Sequence, residues 1–109
     1  MANTLKYIPT LLLTTSFQTV YTVPASTLFT VSMLHISNNT NVDRLVQVCV
    51  VPAAGSADST NALMYDFSIA PNNFLELLRG DIWGAGVTLQ AKASAGTSVT
   101  IRISGIETT

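Results

Sequence analysis

The sequence predicts an all-β domain, an antiparallel sandwich of about eight short strands. Apolar and polar residues alternate two apart through most of the chain, the period of a strand with one covered face. Clusters of Asn, Gly, Asp, Ser and Pro interrupt that alternation at about the 8–12-residue spacing of sandwiches and barrels. Sustained helical periodicity is missing: only "NNFLELLRG" could pass for a short helix, and Phe74 to Leu78 is too short to stand alone as one.

The elements follow in order. Residues 4–9 and 16–23 form the first two strands, the second placing Phe17, Tyr21 and Val23 on one face before Pro24 ends it. Residues 27–37, "TLFTVSMLHIS", and 44–52, "RLVQVCVVP", are apolar on both faces over part of their length, as expected of central or interface strands. "SNNTN" (37–41) separates them, and "PAAGSADSTN" (52–61) leads to a strand at 62–70 with Leu63, Tyr65, Phe67 and Ile69 facing inward. A strand at 73–78 follows "APNN". The last two, 87–94 and 98–107, turn Val87, Leu89, Ala91 and Ala93, then Val99, Ile101 and Ile103, toward the core. Two sheets packed face to face bury these faces economically, and eight strands favour a jelly-roll order.

One domain spans residues 1–109, since a chain of this length holds a single core. Its composition is unusual: 48% of residues are hydrophobic but only 10% are charged, against about 25% in an ordinary soluble domain. A small domain so poor in charge covers its surface badly when alone, which implies assembly with copies of itself or with other proteins. No stretch reaches the roughly 20 apolar residues of a membrane span, and the N-terminus lacks the apolar core of a secretory signal. The chain is therefore expected to act as made, away from membranes. The five basic residues, Lys6, Arg44, Arg79, Lys92 and Arg102, are scattered, whereas a nucleic-acid footprint needs them clustered.

Catalytic and metal-binding constellations are also missing. The single histidine, His35, lies inside a strand and reads as a core or interface residue. The single cysteine, Cys49 in "QVCVV", reads as a small buried hydrophobe and cannot form an internal disulfide. One His and one Cys fall short of any zinc set. Asp66 and Glu76 could meet in space, but their spacing gives no reason to expect it. Gly84-Ala85-Gly86 lacks the third glycine and following helix of a dinucleotide fingerprint, so no cofactor is implied. Asn38-Asn39-Thr40 fits a glycosylation acceptor but reads as a turn.

"LLRGDIWGAG" (77–86) contains Arg79-Gly80-Asp81, the tripeptide of integrin ligands. By average residue usage it arises by chance in about one chain in fifty of this length, so it reads as a strand end and a turn. The same stretch holds the only tryptophan. Ile82 and Trp83 should fold back onto apolar surface, as a core or intersubunit lid, and are the candidate interface residues; a sugar stacked on the indole is the alternative.

Five segments carry a resemblance across nearly the whole chain: "VYTVPAS" (20–26), "VCVVPAAGSA" (48–57), "LMYDFSI" (63–69), "LELLRGDI" (75–82) and "ISGIETT" (103–109). In order and spacing they are similar to a group of small tailed-bacteriophage virion structural proteins. The resemblance implies a non-catalytic β-sandwich built into the particle, assembled in the host cytoplasm. It also implies a homo-oligomer, a dimer or trimer, that acts as a capsid decoration or cement protein beside the major capsid protein, or as a tail, baseplate or fibre-attachment component. Only structural roles carry over: Pro24 and Pro52 as strand ends, Tyr65 and Asp66 within a strand, Gly80 in a turn, Gly105 and Glu107 in the closing strand. The chain departs from the pattern at "DIWGAG", so no inherited role attaches to Trp83.

Overall fold

A computed structural model describes residues 2–78 and 80–109. Arg79 of the Arg-Gly-Asp tripeptide and Met1 lie outside the described residues, as does the side chain of Leu78. Nine strands run in chain order among the described residues: β1 (Asn3–Leu12), β2 (Gln18–Thr22), β3 (Leu28–Asn38), β4 (Arg44–Val51), β5 (Ala62–Ile69), β6 (Phe74–Leu78), β7 (Ile82–Trp83), β8 (Thr88–Ala93) and β9 (Val99–Thr108). One sheet has the order β1-β9-β3-β6, with β7 also pairing β3, and the other β2-β8-β4-β5. The pairs β1/β9, β2/β8, β3/β6 and β4/β5 are nested. The chain is thus one long hairpin, turning between β4 and β5, rolled so that successive pairs alternate between two sheets. That order is a jelly roll.

The expected central strands are central. β3 lies between β9 and β6, and β4 between β8 and β5. Phe29, Val31, Leu34 and Ile36 of β3 and Val99, Ile101 and Ile103 of β9 meet Val46 and Val48 of β4 and Leu89, Ala91 and Ala93 of β8 in the core. Strict alternation in β8 and β9 made those faces legible, and segment 74–78 is a strand rather than a helix.

Bulges overturn two inward assignments. In β2 the register slips between Thr19 and Tyr21, so Tyr21 and Val23 are buried while Phe17 lies under the ammonium of Lys92, 4.9 Å from its ring centroid. In β5 the register slips between the partners of Val46 and Val48, where Asp66 takes φ 53°. The phase inverts there: Met64 is buried and Tyr65 is exposed rather than inward, whereas Ile69 and Phe67, the latter opposite buried Val46, keep the expected inward phase, Phe67 half-exposed because β5 is an edge strand. An extra residue moves every later side chain to the other face.

Two polar devices tie the loops to the core. Asn38, fully buried at the end of β3, donates from Nδ2 to the carbonyls of Val42, Ile69 and Ala70, and accepts at Oδ1 from the Thr40 backbone and hydroxyl. The glycosylation-like triplet is thus an internal bolt between the β3–β4 turn and the end of β5. The Tyr21 hydroxyl donates to Glu107, linking β2 of one sheet to β9 of the other. Burial, then this bond and the Glu107 charge, push the Tyr21 hydroxyl above its ordinary value of 10.0.

Candidate interaction surface

Cross-strand register decides what the outer face of the β1-β9-β3-β6 sheet presents, because residues opposite one another in an antiparallel pair share a face. Leu5 pairs Ile106, Ile106 pairs Thr30, and Thr30 pairs Ile82. These four positions form one row across β1, β9, β3 and β7, with only Thr30 polar. The flanking rows add Leu28 beside Thr108, and Tyr7 beside Ser104 and Met33. Leu5 is 85% exposed and Ile82 63%, with Tyr7 and Leu28 also exposed. At roughly 150–250 Å² for a large side chain, these four present on the order of 450 Å² to water. That matches the largest apolar patch of a typical monomer, which is often functional.

A charged row bounds the patch. Two residues beyond Met33, His35 pairs Arg102 on β9 and Glu76 on β6. His35 Nδ1 lies 3.3 Å from a Glu76 carboxylate oxygen, and its ring stacks on Phe74 at 5.3 Å. His35 is therefore an outward-facing residue of a polar row, not a core histidine bonded to backbone. Asp66 and Glu76 do not meet: they lie in opposite sheets, and Asp66 instead accepts from Gln47 Nε2 at 2.7 Å.

Ile82 and Trp83 separate. As neighbours in a strand they must point to opposite faces, and the segment expected to be all turn contains β7. Trp83 is 6% exposed and packs on Phe29, ring centroids 5.8 Å apart, in the core. It is a core lid, and its indole is not offered to a sugar. Ile82 does not turn back onto the core but stands out on the apolar row. Sequence reasoning missed Leu5, Tyr7, Leu28 and Ile106. Their alternation was visible, yet nothing in it said which of the two faces would be covered.

The rest of the surface offers little chemistry. Cys49 is fully buried beneath the 52–61 loop, its thiol 3.5 Å from the Asp58 carbonyl. Burial, then the Asp58 charge, push that thiol up, away from reactivity. A depression of about 190 Å³ on the other sheet is lined by Thr15, Leu45, Gln47, Asp66, Lys92 and Ser94. Among the described residues no three His, Cys, Asp or Glu are grouped to hold a metal ion, and no helix is long and apolar enough to cross a membrane.

Fold and surface together define a jelly-roll β-sandwich with an apolar row on the outer face of one sheet. No protein-family model, curated protein or solved structure matches the chain.

Proposed function

We propose that this protein is a bacteriophage virion structural protein, a capsid decoration or cement module that oligomerises and stabilises the shell. The observation that carries the reading is the apolar row from Leu5 to Ile82 with Tyr7 and Leu28 beside it: a flat patch on a rigid sheet, suited to lie against another protein. The jelly roll, a frequent architecture of viral capsid domains, supports it, as do the low charge and the phage-like segments of the sequence. The module adds buried area between shell subunits and performs no chemistry.

Counting copies in purified particles tests the proposal. A copy number comparable to that of the major capsid protein supports a shell position. A number matching one ring of subunits moves the protein to the tail, baseplate or fibre attachment. Purified particles without the protein sink both positions.

A further inference from the structure

We infer that β1 is a dimerisation strand: two copies join edge to edge by antiparallel β1–β1 pairing about a two-fold axis through Leu5. β1 ends its sheet in the order β1-β9-β3-β6. Ala2 and Thr109 exchange both backbone hydrogen bonds, Ala2 N–H to Thr109 at 3.1 Å and Thr109 N–H to Ala2 at 2.9 Å. Antiparallel pairing alternates such residues with ones whose N–H and C=O point the other way. With register unbroken from Asn3 to Ile8, Thr4, Lys6 and Ile8 therefore turn toward β9, and Asn3, Leu5 and Tyr7 point their backbone groups at the open edge.

Natural edges are blunted by shortness, bulges, proline or charge. β2 has five residues and a bulge, and β5 carries the break at Asp66. β1 is ten residues long, and its bulge and Pro9 come only after Ile8. The stretch Asn3–Tyr7 is left straight, with Lys6 its only charge.

Register follows from the same facts. Paired residues must share a face and must both direct hydrogen-bonding groups outward, so Asn3, Leu5 and Tyr7 can pair only among themselves. Centring on Lys6 would set two ammonium groups opposite each other and pair Asn3 with Pro9, which has no N–H. Centring on Leu5 pairs Leu5 with Leu5 and Asn3 with Tyr7, and puts Lys6 across from Thr4. A net charge of −1 per chain opposes this little.

Such an axis stands perpendicular to the sheet, so both outer faces stay on one side. The apolar row then runs Ile82-Thr30-Ile106-Leu5 and onward through Leu5 to Ile82 of the second copy. A patch that is small on one chain becomes a platform twice as wide. Five residues paired from each side make an interface smaller than the usual range for specific complexes, so the dimer is expected to be weak and to form as concentration rises. The pairing rests on β1 alone and stands whichever particle the protein joins.

Sedimentation of the purified chain tests it, with the expected mass rising to twice 11.6 kDa as concentration increases. Leu5→Pro removes a donor that faces the open edge and leaves the β1–β9 bonds intact, so a folded variant should stay at the mass of one chain. Cross-linking decides the matter should that variant fail to fold. Leu5→Cys places two thiols at a hydrogen-bonded pair with Cα atoms about 5.5 Å apart, within disulfide reach, and oxidation yields a covalent dimer. Thr4→Cys, about 8 Å from its counterpart, does not cross-link. A monomer at a few hundred micromolar, a folded Leu5→Pro variant that still dimerises, or Thr4→Cys linking as readily as Leu5→Cys would each overturn the inference.

Discussion

Gly105→Ala is the sharpest probe of how the two sheets are held. Gly105 lies in β9 opposite Val31 of β3 and Lys6 of β1, at the centre of its sheet. A Cβ there would collide with the Thr30 carbonyl oxygen and stand 2.6 Å from Cζ of Phe29. The Phe29 ring cannot swing aside, because Tyr21 sits 4.6 Å from it on one flank and Trp83 at 5.8 Å on another. β3 and β9 would have to part by most of an ångström. Overpacking of this kind costs about 1–3 kcal/mol, and a backbone obstacle behind a pinned ring places this site near 3. Replacing a strand glycine returns about 0.5–1 kcal/mol, leaving a net loss of about 2 kcal/mol. For a domain of this size that lowers Tm by roughly 8–12 °C. Thermal unfolding followed by circular dichroism reads it directly, with Gly96→Ala, where nothing lies within 4 Å, as the control. Equal midpoints for Gly105→Ala and the native chain would refute the close approach of Phe29 and β9.

Other predictions follow from the same contacts. Asn38→Asp turns an oxygen toward three carbonyls that now accept from Nδ2 and should cost about 3 kcal/mol or more in urea unfolding; a neutral result would remove the bolt. The raised Tyr21 hydroxyl keeps its proton in the folded chain after the unfolded chain has lost it. Its stabilising share is whole below about pH 10 and is lost as pH climbs through the folded-state value. Denaturation midpoints should fall as pH rises above about 10, and less steeply in Tyr21→Phe. Trp83→Ala should lose about 3–5 kcal/mol of stability, whereas Ile82→Ser should unfold like the native chain and bind purified particles more weakly. A thiol reagent should label Cys49 only at the rate of unfolding.

What the sequence disclosed, and what it hid, follows one physical division. Inward faces were legible wherever a strand stays regular, as in β9, because burial and alternation there are the same signal. They were lost at Val20 and at Tyr65-Asp66, since an inserted residue shifts the phase and leaves no compositional mark. Strand order was only favoured, not fixed, by strand number, because β1 chooses β9 across the full length of the chain. Trp83 as a lid was foreseen from its apolar bulk. Ile82 beside it was misplaced because strand geometry separates neighbours that composition groups together. The apolar row could not be seen at all, for it is assembled from four strands that register alone brings into line.

The nesting of pairs also sets the order in which the molecule can form. β4 and β5 are close in sequence and can find each other early, but β9, the partner of β1, follows all the other described strands in the chain. Until β9 is made the nascent chain carries Leu5 and Tyr7 on a strand with both edges open. Long-range closure of this kind folds slowly, and unpaired edges at that stage are the points from which misassembly begins. The strand that waits longest for its own sheet is thus the one whose bare edges are offered longest to other chains.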